Sequence, residues 1–167
     1  MHESDTVLCA VILSMSLPAQ TSDIITRRYV PWLWLMIGLF TIRVIAQPCS
    51  LLFKTKILPP FESWHGAVLP YPVLLLTQLL ILAWLVLTAR QFTNGSVSPN
   101  HRLGVNILIF ACIYFTLMLV RLVLGLTILS DHRWFASALP AFFHLVLASF
   151  LLLYGHFHFK YGKESAR

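Results

Sequence analysis

The chain has 167 residues, 58% of them hydrophobic and only 11% charged, with a mean hydropathy of +0.79. A water-soluble domain carries about 25% charged residues, so this chain cannot cover itself against water and lipid must be the solvent for much of its surface. Its net charge of +6 does not point to nucleic acid, because the Lys and Arg residues lie scattered between apolar runs, as topology signals do in membrane proteins.

The first 20 residues contain one short apolar run, 7–17, preceded by Glu3 and Asp5. It is short for a bilayer crossing and lacks the basic start of a signal peptide. Met15 offers a second start, and on that reading residues 1–14 are an upstream extension. N-terminal sequencing of the native protein that found them would overturn it. Residues 1–29 are expected to form a partly disordered lead-in, ending in Arg27 and Arg28.

Pro31 suits the first turn of a helix and opens the run PWLWLMIGLFTIRVIAQPCSLLF, 31–53, the first expected span. Trp32 and Trp34 stand where interfacial anchors do. Pro48 either ends this helix or kinks it. The stretch KTKILPPFESWHGAVLPY, 54–71, is too proline-rich for a regular helix and too apolar for a free linker. It reads as a loop packed on the membrane surface.

The second span is 72–90, with Thr77 and Gln78 as its polar marks. QFTNGSVSPNH, 91–101, is a loop signalled by Asn94-Gly95 and Pro99. The third span, 104–130, is long enough to cross a bilayer, and its only formal charge is Arg121. A lone arginine in a spanning helix normally turns inward to a partner or a wet cavity. After the turn SDHR, 130–133, a fourth span over 134–156 carries Pro140 and His144, and a basic tail occupies 160–167.

Arg27, Arg28, Arg90, Arg102, Lys160, Lys163 and Arg167 fall on one side of the expected membrane, and Lys54, Lys56 and Arg133 on the other. This bias predicts both termini in the cytoplasm; a bacterial inner membrane is the default location. The expected fold is therefore an all-α integral membrane protein, a four-helix up-down transmembrane bundle with a Pro-rich outer loop.

This topology places Arg43, Gln47, Gln78, Arg121 and His144 in the outer half of the bundle, with Glu62 and His65 in the loop above. These seven are the candidate ligand-binding residues. None of the chain's six acidic residues lies in a span, although a buried arginine needs a partner. Glu62, Asp131, backbone carbonyls freed by Pro48 or Pro140, lipid phosphate, and an anionic or quinone-like small molecule are the candidates. A purely architectural role for the arginines, snorkelling or paired with Glu62 and Asp131, is the competing reading.

No catalytic residues are assigned. The sequence holds no HExxH, no phosphate-cradling glycine loop and no paired intramembrane carboxylates. Cys9, Cys49 and Cys112 are far apart, which argues against a disulfide framework or a metal site. Haem at His144 is disfavoured, since the other three spans supply no histidine at matching depth as a second axial ligand. The functional expectation is a non-enzymatic membrane protein that binds a lipid-soluble or anionic ligand, or serves as an accessory subunit beside other membrane subunits. The alternative is a membrane-embedded enzyme or carrier using Glu62, His65, Arg121 and His144, with Glu62 and His65 as an acid–base pair. The stretch LPPFESWH resembles the tryptophan-rich sensory protein family, which has five spans and another Trp, Pro and Tyr spacing. RLVLG in the third span is similar to DoxX-like four-helix membrane proteins over five residues. No family is assigned from either.

Overall fold

A computed structural model describes the backbone of residues 3–52, 70–127 and 138–163 and the side chains of 26–50, 70–127 and 139–163. The described residues form four helices: α1 (Glu3–Leu52), α2 (Tyr71–Thr93), α3 (His101–Thr127) and α4 (Ala138–Tyr161). Each contains a stretch long and apolar enough to cross a membrane, the one in α1 being Thr26–Ser50. The chain is an all-α, four-helix membrane bundle. The Pro-rich loop, with Glu62 and His65, lies outside the described residues, as does the SDHR turn.

The hydroxyl side chains inside the spans show how the chain adapts to an apolar solvent. Thr41, Thr77, Thr88, Thr93, Thr127 and Ser149 each donate to the carbonyl four residues earlier, at 2.8–2.9 Å. Where water is absent, a polar group must find its partner within the helix or its neighbours.

The helix boundaries differ from expectation at several ends. α1 runs as continuous backbone through the lead-in and through Pro31 and Pro48, so Pro48 does not end the first helix. Proline within a helix leaves one carbonyl without its N–H, here that of Val44. Among the described residues, α4 runs through Pro140 without a break. α4 also continues to Tyr161, taking His156 and His158 into the helix.

The turn at Asn94-Gly95 is as the sequence signals. Gly95 takes φ 64°, with Gly95 N–H on the Phe92 carbonyl (3.2 Å) and Ser96 N–H on the Gln91 carbonyl (3.0 Å). This pairing is the Schellman close of α2, and it favours glycine at that position. Asn100 then caps α3, its Oδ1 accepting from Leu103 N–H at 3.2 Å.

Contacts across the bundle give the order of the helices. α1 packs on α2 and α4, and α3 packs on α4. Every neighbouring pair is antiparallel. Tyr29 meets Phe157 and Tyr161, Trp34 Nε1 donates to Thr93 Oγ1 at 3.3 Å, and Asn100 N–H donates to His158 Nδ1 at 3.1 Å. The exposed Arg27, Arg28, Arg90, Arg102, Lys160 and Lys163 accordingly share one end of the bundle.

That basic end is dry and aromatic. Leu33, Phe40, Leu85, Phe92, Phe150 and Phe157 are its fully buried centre, with Phe92 and Phe157 edge-to-face at 4.7 Å and Trp84 edge-on to Phe150 at 6.1 Å. Such ring pairs add about 1 kcal/mol each beyond their buried area. Thr26, Thr88 and His158 are the buried polar residues at this end, and Arg43, Gln47 and Gln78 those of the other half.

α3 and α4 approach more closely than any side chain beyond alanine permits. Gly104, Ala111 and Gly125 are the buried residues of α3, each a multiple of seven apart. Ala141, Ala148 and Gly155 are buried on α4 at the same interval, and Gly162 just after it. A Cβ on Gly104 would overlap the backbone of His158 and Phe159, and one on Gly155 would lie 3.1 Å from Leu108 N. A seven-residue period keeps one face toward its partner, and small residues there let backbones touch in lipid.

Candidate functional site

The half of the bundle away from the basic end is built around α1. Arg43 and Gln47 are four residues apart and therefore share a face, which α1 turns into the bundle: Arg43 is 6% exposed and Gln47 0%. From α2, Gln78 (5% exposed) meets Gln47. Its Nε2 donates to Gln47 Oε1 at 3.2 Å. The pair is buried, yet among the described residues Gln47 Nε2 and Gln78 Oε1 have no hydrogen-bond partner, and neither has Arg43 Nη1. Three open polar atoms on residues more than nine-tenths buried is unusual, since each unpaired group costs about 1–3 kcal/mol.

On the α4 side, the Arg43 guanidinium lies 5.0 Å from the centre of the Phe143 ring, a cation–π arrangement. Beside Phe143, His144 Nδ1 shares a 2.6 Å hydrogen bond with the hydroxyl of Tyr114 on α3. Gln47 with Gln78 and Tyr114 with His144 are thus hydrogen-bonded pairs that join α1 to α2 and α3 to α4, and Arg43 against Phe143 joins α1 to α4.

Of the seven residues expected from the sequence, Gln47 and Gln78 meet directly, Arg43 packs against Phe143, His144 pairs with Tyr114, and Arg121 lies on α3 seven residues beyond Tyr114. Glu62 and His65 lie outside the described residues. Tyr114 was missed. Tyr114 is the fourteenth residue of a 27-residue helix, well inside the span. A phenolic hydroxyl at mid-membrane needs a partner, and that depth was the available signal. Replacing Tyr114 by Phe should lower stability by about 1–2 kcal/mol, read as a lower melting temperature in detergent, while leaving the helix content unchanged.

The histidines at the basic end are occupied otherwise. His101 Nδ1 donates to the Phe159 carbonyl at 3.0 Å, and His158 accepts from Asn100. These bonds tie the start of α3 to the end of α4. His156 is exposed while His158 is buried, as two residues with i,i+2 spacing on a helix must be. Among the described residues, no three His, Cys, Asp or Glu side chains are grouped as a metal ion would need.

Comparison with protein-family models, curated proteins and solved structures finds no match.

Proposed function

We propose that this chain is a membrane protein that holds a lipid-soluble anionic ligand in the outer half of its bundle, against Arg43, Gln47 and Gln78 and within reach of Arg121 and His144. The observation that carries this reading is the burial of Arg43, with Nη1 open, in spans that contain no Asp or Glu. A permanently charged guanidinium in such a place is stabilised by an incoming anion. The membrane supplies apolar anions directly from its own plane.

The test is a titration in detergent with oleate and with hexadecanol, followed by tryptophan fluorescence. Saturable binding of oleate, weak binding of hexadecanol and loss of the oleate signal in Arg43→Gln support the reading. Equal response to both amphiphiles in wild type and variant contradicts it.

Two further readings each have an observation behind them. α3 leaves Ile109, Phe110, Ile113, Leu117, Val120 and Val123 exposed, a face suited to lipid or to another membrane subunit. The Tyr114–His144 bond is the feature an embedded enzyme or carrier would use, with Glu62, His65 and Arg121.

We place the protein in a bacterial inner membrane with both termini in the cytoplasm, because its exposed basic residues gather at the end that carries the C-terminus of α4. A phosphatase reporter joined after residue 167, active only outside the cytoplasm, should be inactive. Strong activity from that fusion reverses the orientation.

A further inference from the structure

The ligand reading fixes only a charge; the hydrogen-bonding pattern around Arg43 goes further and defines the head group. The Gln47–Gln78 bond consumes one carbonyl oxygen and one amide N–H. It leaves Gln47 Nε2 and Gln78 Oε1 open. Turning both amides over exchanges the partners but still leaves one amide nitrogen and one carbonyl oxygen. The pair therefore always keeps one open donor and one open acceptor, and the open donor Arg43 Nη1 lies one helical turn from Gln47 on the same face of α1.

A fully ionised carboxylate or a sulfate can accept from Arg43 and from the amide nitrogen, but it has no proton for the carbonyl oxygen. An alcohol can serve both members of the glutamine pair but brings no charge to Arg43. A head group that meets all three is an anion that keeps an O–H.

We infer that the site formed by Arg43, Gln47 and Gln78 selects a lipid-soluble acid that is singly ionised and still protonated, of which a phosphate monoester is the simplest case. This rests on the ligand reading above. Arg43 and the open amide nitrogen bind the charged oxygens, and the open glutamine carbonyl accepts the remaining O–H. A site built to bond a hydroxyl rejects an analogue that lacks it more strongly than a site that merely has room for it, because its own acceptor is then left unpaired.

The experiment compares hexadecyl phosphate with hexadecyl sulfate at pH 5, in detergent, by tryptophan fluorescence titration. The tails are identical and both heads carry about one negative charge, since the second phosphate ionisation falls near pH 6. The full chain should bind the phosphate about tenfold more tightly. The double variant Gln47→Leu, Gln78→Leu should lose that preference and still bind the sulfate, which also shows that the variant is folded. Arg43→Gln should weaken both ligands. Equal affinity of the wild type for phosphate and sulfate overturns the inference and leaves the anion reading standing. A preference that survives in the double variant also overturns it. Failure of both ligands to bind removes the inference and the anion reading together. Inorganic phosphate distinguishes the source: competition at equal concentration assigns the site to free phosphate, and none assigns it to a lipid head group.

Discussion

Replacing Arg43 by methionine should make the ligand-free protein more stable and abolish its binding of anionic amphiphiles. The two effects have one cause. A charged residue at the centre of a spanning helix costs about 2.5–3.5 kcal/mol on insertion scales, and Arg43 is 6% exposed with Nη1 open. Its contact with Phe143, 5.0 Å from the ring centre, returns about 0.5–2 kcal/mol of that. Methionine keeps much of the volume and adapts to irregular gaps. The net gain should be about 1–2 kcal/mol, seen as a higher melting temperature in detergent without ligand. Arg43→Lys should bind anions, but more weakly than wild type, because an ammonium cannot form the paired bonds of a guanidinium. If Arg43→Met unfolds the protein, the guanidinium is architectural, and the competing reading of the arginines is the correct one.

The second large effect concerns the α3–α4 seam. Gly104→Ala should be strongly destabilising, although alanine is the better helix former by about 1 kcal/mol. The added methyl would fall within the backbone of His158 and Phe159, and a backbone cannot rotate aside as a side chain does. Separating the helices would also strain the Asn100–His158 and His101–Phe159 bonds that close this end. The loss should be about 3 kcal/mol or more, at the upper end for overpacked sites. Gly38→Ala provides the opposite sign. A Cβ there meets nothing within 4 Å, so the propensity gain stands alone, and the melting temperature should hold or rise. If both alanine variants melt alike, the close approach of α3 to α4 is wrong.

Much of this architecture is legible from composition and spacing. The apolar runs mark the four spans, Asn94-Gly95 marks the turn that closes α2, and antiparallel neighbours follow from short connections. The depth of Arg43, Gln47, Gln78, Arg121 and His144 could be read by counting residues from each span's end. What counting cannot supply is direction around the helix. Gln47 and Gln78 meet because their helices face each other there, and no periodicity within one helix shows that. Tyr114 was hidden by the habit of assigning aromatic residues to interfaces. The seam of α3 and α4 was hidden because its small residues recur every seven positions, so no short motif displays them.

The most direct test of the anion-binding account is native mass spectrometry of the protein released gently from its own membrane, wild type beside Arg43→Gln. The account predicts an acidic small molecule retained by the wild type and absent from a variant of unchanged helix content. Bare polypeptide in both samples, or the same molecule retained by both, contradicts it.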